Sequence, residues 1–256
     1  MPRTQSSPAR NRPPRFAANW ALFLDVDGTL LEFARRPDAV RVDAGLRCLL
    51  TALQRASGGA IALISGRPVA EIEMLFAPLR LPAAGLHGLE RRDADGRLHR
   101  HEFPRRRLRD ATRRLAKLAA AHPGLLVEDK GAGVAVHYRQ VPRLAGFALD
   151  AVQAELSRLG PAFELQRGKM VLEIKPGGRD KGIAIAEFMS EPPFAGRVPV
   201  FIGDDATDEY GFRAVDRLRG RSVKVRAGAS AARWRLPNSA GVRSWLQEYV
   251  LSGAAD

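Results

Sequence analysis

Short apolar runs at residues 21–24, 60–64, 83–86 and 198–202, with a β-branched stretch at 222–225, set the limits on what this chain can fold into. Each is too short for a helix, and most are continuous rather than alternating. That pattern belongs to strands buried on both faces, as in a parallel sheet. Helical patterns lie between them. Leu46, Leu49, Leu50 and Leu53 repeat at helical spacing until Gly58-Gly59 interrupts them, and Pro68 suits the first turn of a helix through Ile72 and Leu75. Further helices are expected at 180–188, near Tyr210 and around Trp245. Strand and helix in alternation predict an α/β fold with a doubly wound, Rossmann-like core.

The rhythm changes in the middle of the chain. Asp95-Gly96 is a hairpin signal, and residues 106–121 then read as a helix ended by Pro123-Gly124. Strand pairs at 125–128 with 134–138 and at 163–166 with 170–174 flank a second helix at 143–159. Helix-strand-strand twice over is a unit with its own sheet, an inserted α+β cap domain. The expected division is a flexible tail at 1–18, a core made of 19–103 and 177–251, and the inserted cap at 104–176. Hinges are expected where the chain crosses, near 102–105 and 176–179.

With 256 residues, 45% of them hydrophobic, the chain has ample material for a packed core, which excludes a wholly disordered protein. No apolar stretch approaches the ~20 residues of a membrane span. The Pro- and Arg-rich start lacks a following apolar segment, so no secretory signal is expected. One cysteine, Cys48, excludes an intrachain disulfide and fits a reducing, cytoplasmic setting. The formal charge is +13, and only six of the 41 basic residues are lysines. Such a balance permits anionic partners. The arginines are scattered rather than gathered in one tract, as on a solvated surface.

Four motifs carry the chemistry. Asp25-Val26-Asp27-Gly28-Thr29 follows the first strand, and ligands in open α/β sheets bind at the carboxyl ends of strands. Two carboxylates there can act as nucleophile and proton carrier, or can simply end a strand. Ser65-Gly66-Arg67-Pro68 follows the second strand and reads as an anion site or a helix cap. Residues 203–209, Gly-Asp-Asp-Ala-Thr-Asp-Glu, follow the strand at 198–202. Their acids suit magnesium, with a solvated loop or a calcium loop as the other readings. Lys181 opens a helix after Gly177-Gly178, where a surface lysine is the plainer interpretation.

In order and content these pieces resemble the haloacid dehalogenase-like phosphatase superfamily. The resemblance implies phosphoryl transfer to Asp25 and hydrolysis of the aspartyl phosphate. Asp27 would protonate the leaving oxygen and later activate water, while Ser65 and Lys181 would hold the phosphoryl oxygens. It implies Mg2+ as cofactor, with Asp25, the Asp27 carbonyl and Asp204 as ligands. Asp205, in the metal set, and Asp208, in the catalytic set, would position the lysine and metal-bound water.

The match narrows at residues 85–90, Gly-Leu-His-Gly-Leu-Glu, at 128–130 leading to Val136-His137-Tyr138-Arg139, at 168–173, Gly-Lys-Met-Val-Leu-Glu, and at 176–182. These resemble the trehalose-6-phosphate phosphatases, over residues 20–245. The resemblance implies that Glu128, Lys130 and Glu173 grip sugar hydroxyls, with His87, Arg139, Lys169 and Arg67 in the same substrate-binding set. Glu128 and Lys130 are otherwise readable as a surface ion pair. The expected activity is hydrolysis of trehalose 6-phosphate to trehalose and phosphate. The alternatives are a phosphatase for sucrose phosphate or a glycosylglycerate phosphate, a phosphosugar mutase, and an arginine-rich nucleic-acid binder that keeps only the fold. The partner expected is a small-molecule sugar phosphate, with neither nucleic acid nor membrane, in a monomer with a trehalose-6-phosphate synthase upstream.

Overall fold

A computed structural model describes residues 13–14, 16–32, 41–168 and 170–253. Most of the expected tail, and Lys169, lie outside the described residues. The chain divides into two compact units, one comprising the chain up to Arg100 and from Asp180 onward, the other His101–Arg179.

The first unit holds β1 (Trp20–Asp25), α1 (Ala44–Ala56), β2 (Ile61–Ile64), α2 (Val69–Phe76), β3 (Ala83–Gly85), β4 (Glu90–Arg92) and β5 (Leu98–Arg100). The second contains α3 (Arg105–Ala120), β6 (Leu126–Asp129), β7 (Val134–His137), α4 (Ala145–Leu159), β8 (Phe163–Gly168) and β9 (Val171–Pro176). The chain returns to the first with α5 (Lys181–Phe188), β10 (Val198–Gly203), α6 (Asp208–Arg217), β11 (Arg221–Val225), β12 (Trp234–Leu236) and α7 (Ser239–Gly253).

In the first unit the sheet order is β12-β11-β10-β1-β2-β3-β4-β5. Pairing is parallel from β12 to β3 and antiparallel beyond. β1 shows why a continuous apolar run was needed. Its Trp20, Leu22 and Leu24 pack with Leu46, Leu50 and Leu53 of α1 and Trp245 of α7 on one face. Ala21 and Phe23 pack with Ile185 and Phe188 of α5 and Phe212 of α6 on the other. Successive side chains of a strand point to opposite faces, so a strand covered on both sides is apolar until its last residue, here Asp25. The chain order reverses at β1, which β2 flanks on one side and β10 on the other. The crevice beyond their carboxyl ends is the topological switch point.

Three details differ from the sequence expectation. The short edge strand β12, next to Pro237, was not foreseen. Strand β3 ends at Gly85, because Leu86 and His87 take left-handed backbone angles in a short turn. Packing also begins before Trp20: the Phe16 ring lies 4.6 Å from Trp245 and 4.8 Å from Tyr249, centroid to centroid.

In the second unit an antiparallel sheet of order β6-β7-β9-β8 carries α3 and α4. Val134, Val136, Leu172 and Ile174 are buried. The opposite face is polar, with Glu128, Ala135, Glu173 and Gln166 in one row across the four strands. Arg114 of α3 and Arg158 both bond the buried carboxylate of Glu155 in α4. No helix among the described residues is long and apolar enough to cross a membrane.

Candidate active site

Strand β1 delivers Asp25 to the switch point as its last residue, and parallel pairing sets Asp25 opposite Ile64, one residue before Ser65. Lys181 arrives from 156 residues away. It is the first residue of α5, whose N-cap Asp180 accepts a bond from Ile183 N at 2.9 Å. A cation at a helix N-terminus opposes the helix dipole, so its position there has to be compensated by its partners. They are carboxylates: Lys181 Nζ donates to Asp25 Oδ1 at 2.8 Å and to Asp208 Oδ1 at 2.6 Å. Close packing of α5 on α6 makes this possible. Gly182 has no room for a side chain, because a Cβ there would lie 2.9 Å from Ala214 Cβ.

Asp208 also holds the loop before it. Its Oδ2 accepts from the backbone N–H of Asp204 and of Asp205, both at 2.8 Å. Asp25, Asp204 and Asp208 each offer a carboxylate oxygen within 4.8 Å of the others. Lys181 is only 3% exposed, so one ammonium sits among three acids in a poorly solvated place. Burial first, then Asp208, pushes the Asp25 carboxyl up to about 8 against the pull of Lys181. The same two causes raise Asp204 to about 6, with Arg226 opposing them. Burial alone would lower Lys181, but Asp208 and Asp25 outweigh it and hold the ammonium well above its usual range.

Asp25, Asp204 and Asp208 together could hold a metal ion, and two further observations fit a hard divalent ion. Asp204 Oδ1 is buried with no hydrogen-bond partner among the described residues. Gly28, at φ +86°, lies so close to the Asp204 carboxylate that a Cβ there would fall 2.6 Å from Asp204 Cγ. Asp205 is placed differently from the other two loop acids. It is exposed and caps the backbone N–H of Ala206 at 2.6 Å, so Asp208 rather than Asp205 is the third carboxylate of the cluster.

The proton-carrying candidate, Asp27, is gripped from one side. Arg67 Nε donates to Asp27 Oδ2 and Nη2 to Asp27 Oδ1, both at 2.7 Å. This fork–fork geometry fixes the carboxylate in one orientation. Ser65 Oγ accepts from Arg67 N at 3.1 Å, and the His87 ring packs on Gly66, where a Cβ would lie 2.8 Å from its Nε2. Ser65, Arg67 and His87 therefore form one cluster beside the aspartates, all within the first unit.

In the second unit, Lys130 Nζ donates to Glu173 Oε2 at 2.9 Å, and His137 Nε2 bonds Glu128 Oε2 at 2.9 Å. The alternative reading of Glu128 and Lys130 as an ion pair is not what the described residues show. Ala135 lies between Glu128 and Glu173 in the row, small enough for chains from both sides to project past it. A cavity of about 460 Å³ is lined by Gly124, Leu126, Glu128, His137, Arg139 and Gln140. Arg139 is thus close to Glu128.

Sequence reasoning missed Lys224 and Arg226. Lys224 Nζ donates to the backbone oxygen of Asp204, and Arg226 Nη1 donates to Asp204 Oδ2 at 2.8 Å. The available signal was their place at the carboxyl end of a parallel strand next to β10, with Lys224 paired in register with Gly203. It also missed Gln166, and gives His137 only as part of a motif, without a role of its own. Their registers on the polar sheet face pick them out.

The family model described as trehalose-phosphatase matches residues 23–240. The trehalose-6-phosphate phosphatase of Escherichia coli K12 is 47% identical over 91% of this chain and 88% of its own. A probable trehalose-phosphate phosphatase of Sinorhizobium fredii is 46% identical over the same shares. Among solved structures, a trehalose-6-phosphate phosphatase related protein superposes with TM-score 0.71 at 26% identity, covering 91% of this chain and 98% of that one. The C-terminal domain of the C. albicans trehalose-6-phosphate phosphatase has TM-score 0.75 at 20% identity, over 92% and 93%, a likeness of fold.

Proposed function

The chain belongs to the trehalose-phosphatase family, a class of phosphoric monoester hydrolases, and we propose that it hydrolyses trehalose 6-phosphate by way of an aspartyl phosphate on Asp25. The observation that carries the chemistry is the buried trio Asp25–Lys181–Asp208 at the end of the central strand. A carboxylate approaching a phosphate dianion meets about 4 kcal/mol of repulsion per charge pair at 4 Å with an effective dielectric near 20. Lys181, bonded to Asp25 Oδ1, offsets part of this and stands ready for an equatorial phosphoryl oxygen. Ser65 Oγ takes a second oxygen.

In the first step the Asp25 oxygen forms a bond to phosphorus. The sugar–oxygen bond to phosphorus breaks, and Asp27 gives its proton to the departing sugar oxygen. In the second, water attacks phosphorus, Asp27 takes the water proton, and the Asp25 carboxylate is regenerated. Arg67 keeps Asp27 aimed along this line. Asp208 acts through Lys181 and through the two amides of the 204–205 loop. Mg2+, held by Asp25, Asp204 and Asp208 together with the Asp27 carbonyl, would supply charge neutralisation of the phosphoryl group.

The polar sheet face of the second unit supports a sugar as the leaving group. Glu128, Glu173, Lys130 and Arg139 supply acceptors and donors for hydroxyls, and Gln166 supplies both. Lys169 and His87 complete the substrate-binding set by motif. In this reading a small-molecule sugar phosphate is the partner, and a monomer downstream of a trehalose-6-phosphate synthase suffices. Phosphate release should be measured from trehalose 6-phosphate beside sucrose 6-phosphate, glucose 6-phosphate and an aryl phosphate. Each is assayed with Mg2+ or chelator, and with Asp25→Asn. The expected result is Mg2+-dependent release mainly from trehalose 6-phosphate and none from Asp25→Asn. Equal activity of Asp25→Asn would remove the nucleophile, and preference for another ester would overturn the substrate.

A further inference from the structure

The residue that follows strand β11 has an unusual backbone. Arg226 has φ +68°, the left-handed region in which glycine is free and other side chains are strained. Strain of this kind persists where surrounding contacts over-determine it, and it clusters at functional positions. Here the contacts are specific. Arg226 Nη1 donates to Asp204 Oδ2 at 2.8 Å, and Nη2 of the same guanidinium reaches Glu32 Oε2 at 3.1 Å. Two residues earlier Lys224 holds the backbone oxygen of Asp204. The end of β11 thus grips Asp204 by its main chain and by one carboxylate oxygen.

The other oxygen is treated differently. Asp204 Oδ1 is buried with no partner among the described residues, while Asp25 and Asp208 each bring a carboxylate oxygen into the same cluster. Gly28 packs closely on the Asp204 carboxylate, nearest the same Oδ2 that Arg226 bonds, so the group has little room to turn.

We propose that Arg226, by occupying Asp204 Oδ2, makes Asp204 a one-oxygen ligand and thereby selects a small octahedral divalent cation over a larger one at this site. The inference rests on the cation reading above. Ca2+ takes six to eight oxygens and readily uses both oxygens of a carboxylate, whereas Mg2+ accepts single carboxylate oxygens and keeps its waters. A ligand with its second oxygen already bonded serves the smaller ion and denies the larger one a contact. Arg226 is therefore a positioning residue, as hydrogen-bonded partners of metal-ligating carboxylates commonly are.

The test is calorimetric titration of chelator-stripped, full-length protein with MgCl2 and separately with CaCl2. The proteins are wild type, Arg226→Gly, Arg226→Lys and Asp204→Asn. Glycine suits the backbone at 226, so Arg226→Gly should fold, and a thermal melt checks this. Arg226→Gly is expected to lose about tenfold of the Mg2+ over Ca2+ preference, the low end of what such partners contribute. Arg226→Lys, which keeps one donor, should retain most of it. A preference within about threefold of wild type in folded Arg226→Gly would overturn the proposal. If wild type binds neither ion, or Asp204→Asn binds as well as wild type, the cation reading itself fails and takes the proposal with it.

Discussion

Replacing Lys181 by methionine removes the one ammonium between two buried carboxylates while keeping much of the side-chain volume. Lys181, Asp25 and Asp208 are 3%, 4% and 0% exposed, so water cannot take over the lost hydrogen bonds. Breaking a buried pair by deleting one partner costs about 3–5 kcal/mol. In a unit of this size each kcal/mol lowers the melting temperature by roughly 2–4 °C, which predicts a fall of about 6–20 °C in chelator near pH 8. The pH dependence gives a second handle. Lys181 is held above its unfolded value, so its contribution is fully present below the unfolded lysine pKa and is lost only as pH rises through the higher folded value. Between pH 5 and 9 the wild-type ammonium is constant, and the change in the deficit is expected from Asp25. As pH falls the Asp25 carboxyl, raised to about 8, takes up its proton and no longer needs a counter-ion, so the deficit should shrink toward pH 5. The double variant Lys181→Met/Asp208→Asn should recover part of the loss, because contacting residues couple by about 0.5–3 kcal/mol. Melts by circular dichroism over this pH range, on wild type, both single variants and the double, measure all of it. A deficit below about 1 kcal/mol, or one that does not change with pH, would refute the reasoning. Turnover should fall by about 10²–10³, the usual effect of losing one preorganised donor to a transition-state oxygen.

Asp25 is raised to about 8 and Asp204 to about 6, so the folded, chelated protein binds more protons than the unfolded chain. Its stability should therefore fall as pH rises from about 4 to about 8. Mg2+ uptake near pH 7 should release protons, read as a buffer-dependent binding enthalpy, and a buffer-independent enthalpy would contradict the Asp25 assignment. Glu173→Gln should reduce kcat/KM on trehalose 6-phosphate far more than on an aryl phosphate, whereas equal losses would remove Glu173 from sugar recognition. In the second unit, Glu155→Ala strips Arg114 and Arg158 of a shared carboxylate and should cost about 1–2 kcal/mol, discounted because both arginines are substantially exposed. Burial would raise the Glu155 carboxyl, but Arg114 and Arg158 hold it below its usual value. This contribution is thus present above the unfolded glutamate pKa and disappears as pH falls through the folded one. Urea titrations at about pH 7 and about pH 3 should differ accordingly.

What the amino-acid sequence determined by itself was local. Continuous apolar runs such as 198–202, of strand length and bounded by Gly or Pro, read as strands covered on both faces, and the residue after such a run then lies at a carboxyl end. Asp25, Ser65 and Asp204 were legible for that reason, as were the alternation of strand and helix and its interruption in the middle. Residues 234–236 were not. A three-residue edge strand has no periodicity to detect, and it exists because β11 offers it a pairing edge. The tertiary structure decided every relation between distant side chains. Lys181 meets Asp25 across 156 residues because α5 packs on α6 at Gly182. Asp208 displaces Asp205 from the carboxylate cluster because the loop turns its Oδ2 onto two backbone amides. Glu128 turns to His137, and Lys130 to Glu173, because strand register sets neighbours across a sheet. Arg226 reaches Asp204 because β11 lies one strand from β10 with Lys224 opposite Gly203. Spacing along the chain encodes which face a residue takes. Which residues share that face is fixed only when register and packing bring separate elements together.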